Sequence, residues 1–233
     1  MSGLPERLSA IKARISEVAS SCGRSPDSVR LVAVSKTHPA ESVREAYEEG
    51  QTIFGENRVQ ELLAKAPDLP GSIEWHLIGH LQKNKIRKVL PVCTLIHGVD
   101  SLELAQDIDR VAAELGLFPR ILMEVNVAGE ASKFGFAPDK LRACWEQILT
   151  LPRIQVEGLM TIAPLSEKSE EVRPFFSELR TLRDTLEKDG GAPLPVLSMG
   201  MSGDFEVAIA EGATLVRIGT AIFGHRPSLR AKE

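Results

Sequence analysis

The nonapeptide LVAVSKTHP (31–39) sets the alternatives for the whole chain. Its apolar half is short and rich in valine, which favours a strand over a helix. Period-two alternation places Val32, Val34 and Lys36 on one face, and Leu31, Ala33 and Ser35 on the other. Pro39 then suits the first turn of a helix, because a proline there gives up no hydrogen bond. A strand followed by a helix can open either a doubly wound sheet or a barrel. The doubly wound sheet requires a glycine-rich phosphate turn after its first strand. Ser35-Lys36-Thr37 stands there instead, so the barrel is favoured.

Further short apolar runs fall at 53–54, 75–78, 95–99, 121–127, 156–160, 195–198 and 215–218. Amphipathic stretches at 39–50, 59–66, 82–89, 101–115, 138–149, 169–188 and 204–211 separate them, and a helix at 5–21 precedes them all. Strict alternation of strand and helix implies parallel pairing. A chain of about 230 residues is the size of a compact (β/α)8 barrel. The expected fold is therefore α/β: a (β/α)8 TIM barrel with an extra N-terminal helix. It is read as a single domain over 1–233, with its core at about 28–224.

Composition narrows the function classes. The 233 residues are 43% hydrophobic and 26% charged, with a formal net charge of −4. That supports one well-buried core, and the mild acidity argues against bulk affinity for nucleic acid or an anionic membrane surface. Every apolar run is far shorter than a membrane span, and the N-terminus MSGLPERLSAIKARI lacks the apolar centre of a secretory signal. Cys22, Cys93 and Cys144 are widely spaced with no CxxC pair, so reduced thiols and a cytoplasmic location are expected. Tyr47 is the single tyrosine.

Barrel enzymes carry their chemistry on the C-terminal ends of the strands. The strand ends here offer Ser35-Lys36-Thr37, Gly55-Glu56-Asn57, Gly79-His80, His97, Asn126, Met160-Thr161, 198–202 and 217–220. A lysine that ends an apolar strand is partly desolvated, and its neutral amine becomes nucleophilic toward an aldehyde. The plainer alternative for Lys36 is a side chain that reaches water or pairs with an acid at the rim. Loops after the seventh and eighth strands offer Ser198, Ser202, Gly219 and Thr220 to a phosphate. Helix capping by Ser202 and a tight turn at Gly219 are the plainer readings there. An amine on the first strand and an anion cup across the mouth would span a small phosphorylated aldehyde, a description that pyridoxal 5′-phosphate fits. Arg217 shares the parity of Leu215 and Gly219 and needs an acceptor inside the barrel, either a pyridine nitrogen or a buried acid such as Glu124. His76 and His80 lack the glutamate of an HExxH pattern, so no metal site is expected. The basic run QKNKIRK (82–88) reads as a solvated helix face, and Lys133 as a surface lysine near the mouth.

The strings LVAVSKTHP (31–39), FGENRVQE (54–61), WHLIGHLQKNK (75–85), SKFG (132–135), GLMTIAP (158–164), LSMGMSGD (197–204) and VRIGTAIFG (216–224) run in order over nearly the whole chain. Together they resemble the pyridoxal phosphate homeostasis protein family, small single-domain barrels related to the N-terminal domain of alanine racemase. The resemblance implies one pyridoxal 5′-phosphate held on Lys36 as an internal aldimine. By the same resemblance, Ser202, Gly219 and Thr220 bind the phosphate and Arg217 sits near the ring nitrogen. Asn57, His80 and Met160 line the pocket, with Ser198 close by. The family is associated with intracellular vitamin B6 and amino-acid balance, which implies a protein that buffers the cofactor or delivers it to apoenzymes. Gly98, where the family often carries serine, and His225, where a smaller residue is usual, depart from the pattern.

Two functions compete on this reading: a cofactor carrier, and an amino-acid racemase of the alanine racemase type. Racemisation needs acid–base groups on both faces of the substrate Cα. In alanine racemase the second face is served by a tyrosine from an additional β domain of the partner subunit. Tyr47 here falls on the helix after the first strand, away from the mouth. No catalytic residue is therefore assigned. Without the additional domain one usual dimerisation route is missing, and a monomer is expected.

Overall fold

Each strand alternates between an inner and an outer face, and the two faces build two separate cores. The computed structural model describes residues 3–130 and 132–224, so His225 lies outside the described residues. The strands are β1 (Arg30–Val34), β2 (Ile53–Glu56), β3 (Glu74–Leu77), β4 (Leu95–Val99), β5 (Arg120–Glu124), β6 (Gln155–Met160), β7 (Val196–Ser198) and β8 (Leu215–Ile218). Neighbours pair in parallel, and β8 returns to β1 to close the barrel. Val32, Val34, Ile53, Leu95, Leu122, Met160, Val196 and Leu215 pack along the axis. Leu31, Ala33, Phe54, Leu77, Ile96 and Ile121 face outward and are buried under the helices. Such a two-sided burial is what a parallel barrel demands of its strands.

The helices are α1 (Leu4–Ser21), α2 (Ala40–Glu48), α3 (Val59–Lys65), α4 (Ile86–Val89), α5 (Leu102–Leu115), α6 (Pro138–Leu149), α7 (Arg173–Gly190), α8 (Phe205–Ala210) and α9 (Thr220–Phe223). The expected (β/α)8 TIM barrel with its leading helix is what forms. Two stretches depart locally. The helix expected over 82–89 is a 3-10 turn, Lys83–Lys85, running into the single turn of α4. The one expected over 169–188 starts as a 3-10 turn, Ser169–Val172, before α7. The extra helix α1 and the turn after it are tied to α8, α9 and the segment before β8. The Arg7 Nε donates to Ile222 O at 2.7 Å, and Arg24 donates to Ile209 O at 2.7 Å and Ala213 O at 2.8 Å. No helix among the described residues is long and apolar enough to cross a membrane.

Backbone approach, rather than side-chain packing, fixes two places in the barrel wall. At Gly158 (φ +158°) a Cβ would stand 1.8 Å from Val196 O, so the β6–β7 contact needs glycine. β5 also ends earlier than its apolar run. After Glu124 the chain pairs with its own returning loop, with Phe136 N–H donating to Glu124 O at 2.8 Å and Asn126 N–H to Phe136 O at 2.9 Å. The strand expected over 121–127 therefore ends at Glu124, and Asn126 falls in the loop after it.

Candidate functional site

A cavity of about 550 Å³ opens at the C-terminal mouth of the barrel. Lys36, Asn57, His80, Ser202, Arg217, Gly219 and Thr220 all line it. Met160 and Ser198 do not. Both are fully buried beneath it, Met160 in the axial apolar core and Ser198 under Arg217. Glu124, Phe134, Ile162, Leu165 and Gly203 also line the cavity, and sequence reasoning did not place them there.

Lys36 is carried by a tight turn at the end of β1. His38 N–H donates to Ser35 O at 3.0 Å, and Thr37 takes the left-handed conformation at φ +66°. A β-branched residue adopts that conformation only when its surroundings impose it. The residues on either side of Lys36 supply the constraint. Ser35 Oγ donates to Glu56 Oε1 at 2.7 Å, while Lys65 Nζ donates to Ser35 O at 2.9 Å and to Glu56 Oε1 at 2.6 Å. Thr37 N–H donates to Glu61 Oε2 at 2.9 Å. Burial pushes the Glu56 carboxyl up, and its bonds from Lys65 and Ser35 pull it back. Three side chains from β2 and α3 thus hold the backbone that presents the amine.

Donors gather on the adjacent side. β8 is the direct neighbour of β1, with Ala33 level with Ile218, so this group lies beside Lys36 rather than across the mouth. The loop after β7 folds on itself: Gly200 takes φ +93°, Met201 N–H donates to the Asp204 carboxylate, and Asp204 N–H donates to Met201 O at 3.1 Å. The turn leaves α8 without a side-chain cap, so Ser202 is not a capping residue. Among the described residues, the hydroxyls of Ser202 and Thr220 and the N–H groups of Ser202, Gly203 and Thr220 have no protein acceptor.

Arg217 is 4% exposed and forms part of the floor. Its Nη1 donates to Ser198 Oγ at 2.6 Å and its Nη2 to Thr161 O at 2.8 Å. The alternative of a salt bridge to Glu124 is not what forms: among the described residues, Arg217 is in no ion pair. Burial lowers its pKa to about 10, against the opposing pull of Glu124 and Asp204, which leaves it charged at neutral pH. Below it Ser198 Oγ lies 3.0 Å from His97 Nδ1, and His97 Nε2 lies 3.0 Å from His76 Nδ1. Burial, with Arg30 and Arg120 nearby, pushes His76 down to about 3, and burial together with His76 and Arg217 pushes His97 well below its ordinary value. Both imidazoles are neutral.

On the β2–β3 side a Cβ at Gly79 would stand 2.3 Å from Asn57 O, a closeness that brings Asn57 and His80 together. His80 Nδ1 lies 2.8 Å from Asp100 Oδ2, and its ring stacks on Phe134 with centroids 4.1 Å apart. Lys133 donates to Glu130 Oε1 at 2.7 Å and to Ala163 O at 3.3 Å beside a smaller adjoining cavity. Among the described residues no group of three His, Cys, Asp or Glu could hold a metal ion. In the basic run, Lys83 pairs with Asp107 and Arg87 with Glu114, as a solvated helix face would. The arrangement offers an amine, a buried cation and a set of unpaired donors around one cavity.

Glu124 is 6% exposed, and burial together with Asp100 raises its carboxyl to about 7, with Arg217 pulling the other way. The folded chain then keeps a proton that the unfolded chain releases between its ordinary value, 4.5, and about 7. Stability therefore falls as pH rises through that window, and the penalty is complete above it. Glu124→Gln is expected to remove this slope. Its unfolding free energy should gain ~3 kcal/mol on the parent between pH 4.5 and 8, read by denaturant unfolding. Parallel curves would contradict the assignment.

Comparison with known proteins gives one consistent grouping. The family model described as alanine racemase, N-terminal domain, matches residues 7–227. A pyridoxal phosphate homeostasis protein of Aquifex aeolicus is 47% identical over 222 residues, covering 95% of this chain and 97% of the relative. One of Pseudomonas aeruginosa is 45% identical over 229 residues, covering 97% of each. The solved structure of PipY of Synechococcus elongatus, with PLP bound, matches with a TM-score of 0.85 at 43% identity, covering 95% of this chain and all of that one. An alanine racemase of Clostridium difficile shares the fold, with a TM-score of 0.69 at 20% identity, covering 86% of this chain and 53% of that one. A match over nearly the full length, with identities above 40% to relatives of the same size, places the chain in the pyridoxal phosphate homeostasis protein family, within the wider family of the alanine racemase N-terminal domain.

Proposed function

We propose that the chain binds pyridoxal 5′-phosphate at the barrel mouth and serves intracellular cofactor balance as a carrier, handing the cofactor to apoenzymes that use it. One observation carries the reading. A strand-end lysine and a set of unpaired hydroxyl and N–H donors share a single cavity of about 550 Å³. Bound pyridoxal 5′-phosphate supplies an electrophilic aldehyde and a dianionic handle. Lys36 would furnish the amine that faces this aldehyde. Ser202 and Thr220, with Gly203 beside them, hold the phosphate through donors that the protein leaves unpaired, and Gly219 shapes the loop that presents Thr220. Arg217, on the cavity floor, would offer its remaining N–H groups to the ring nitrogen. Asn57 and His80 close the β2–β3 side, while Ser198 and Met160 support the floor from below. The described cysteines are free thiols, which suits a reducing cytoplasm.

The carrier reading is preferred over a racemase for two reasons. A guanidinium gives up no proton near neutral pH, so a ring nitrogen bonded to Arg217 stays unprotonated and withdraws electrons weakly. Tyr47 is also turned away. Its Oη bonds Ser72 Oγ at 2.6 Å, ahead of β3 and at the end of the barrel opposite the mouth. Relatives at 38–47% identity are named for homeostasis rather than for a reaction.

Replacing Ser202 and Thr220 together by alanine is expected to weaken pyridoxal 5′-phosphate by about tenfold or more per lost bond while barely affecting pyridoxal. Absorbance titration reads both ligands, and equal weakening would show packing damage instead of a phosphate site. Alanine and serine incubated with the loaded protein in deuterated water are expected to keep their Cα hydrogen. Rapid exchange with inversion, lost in Lys36→Ala, would overturn the carrier reading.

A further inference from the structure

The side chains below Arg217 form a continuous polar path inside an otherwise apolar barrel. It runs from Arg217 Nη1 to Ser198 Oγ at 2.6 Å, to His97 Nδ1 at 3.0 Å, and from His97 Nε2 to His76 Nδ1 at 3.0 Å. Arg217, Ser198, His97 and His76 are 4%, 0%, 0% and 1% exposed. A path so deep must place each of its protons.

Only one direction does so for Ser198 and His97. Arginine is a donor alone, so Ser198 Oγ accepts from it. The Ser198 hydroxyl proton then needs an acceptor, and His97 Nδ1 is the one within reach among the described residues. His97 accordingly carries its proton on Nε2 and donates to His76 Nδ1. The reverse tautomer would have His97 donate to Ser198 and would strand the buried hydroxyl proton. An orphaned polar group of this kind is among the more damaging defects in a protein interior.

We infer that His97 is a positioning residue for Arg217: by accepting the Ser198 hydroxyl proton it turns the Ser198 lone pairs toward the guanidinium and so aims the remaining N–H groups of Arg217 at the cavity. The inference rests on the reading of that cavity as a pyridoxal 5′-phosphate site. His97 does not line the cavity, and its effect on a ligand passes through Ser198 and Arg217.

The test is a double-mutant cycle on the full chain, with pyridoxal 5′-phosphate as the probe and with affinity and the absorbance maximum of the bound cofactor as readouts. His97→Phe is expected to weaken binding by about tenfold and to shift the absorbance in the same direction as Arg217→Met. In the Arg217→Met background the same change should add almost nothing. His97→Gln, which keeps an acceptor, should restore most of the loss. Ser198→Ala breaks the path at a smaller side chain and should reproduce the shift, which keeps the test decisive if the phenylalanine unfolds the barrel. Additive effects, or an unshifted spectrum in Ser198→Ala, would overturn the inference while leaving the cofactor reading intact. A parent chain that takes up no cofactor would overturn both.

Discussion

A guanidinium enclosed by the aliphatic wall of a parallel barrel constrains much of what surrounds it. The effective penalty of burying an ion is several kcal/mol unless acceptors are supplied. Arg217 receives two, a hydroxyl and a carbonyl, and both are neutral. Its charge is therefore not cancelled by a bonded carboxylate, and it projects a positive field into the cavity above. Glu124 and Asp204 feel that field, and each is pulled below the value that burial alone would impose. The path through Ser198, His97 and His76 is the consequence one layer further down.

The neighbouring strand solves a different problem, the presentation of a flexible amine. Lys36 projects from a turn whose backbone is strained at Thr37 and held by Glu56, Glu61 and Lys65. The Val32–Arg217 register of β1 on β8 puts the buried cation and the lysine on adjacent strands. A Cβ at Gly219 would already stand 3.0 Å from Val34 O, so the loop after β8 lies directly against the strand that ends in Lys36. Amine, cation and donor loop are consequently neighbours by topology, and short connections suffice to keep them in place.

What could be read from the sequence was whatever is local. Alternation in LVAVSK put Val32, Val34 and Lys36 on the inner face, where Val32 and Val34 pack and where Lys36 meets the cavity. Parity also turned Arg217 inward. Its acceptors were not legible, because Ser198 and Thr161 come from two other strand ends and only the closed barrel brings them together. The end of β5 is hidden for the same reason. Nothing in ILMEVNV announces that the carbonyl of Glu124 will be taken by Phe136. Glu124 therefore entered only as a partner for Arg217 and not as a wall of the cavity. Met160 shows a further limit: shared motifs carry the order of residues along the chain but not their depth beneath a pocket.

The central claim is that one lysine at the end of β1 holds the cofactor. Borohydride reduction of the pyridoxal 5′-phosphate-loaded protein, followed by protease digestion and mass mapping, tests it in a single step. The account predicts one pyridoxyl adduct, on the peptide that carries Lys36. An adduct centred on Lys65, Lys133 or another lysine, or no adduct at saturating cofactor, would contradict it.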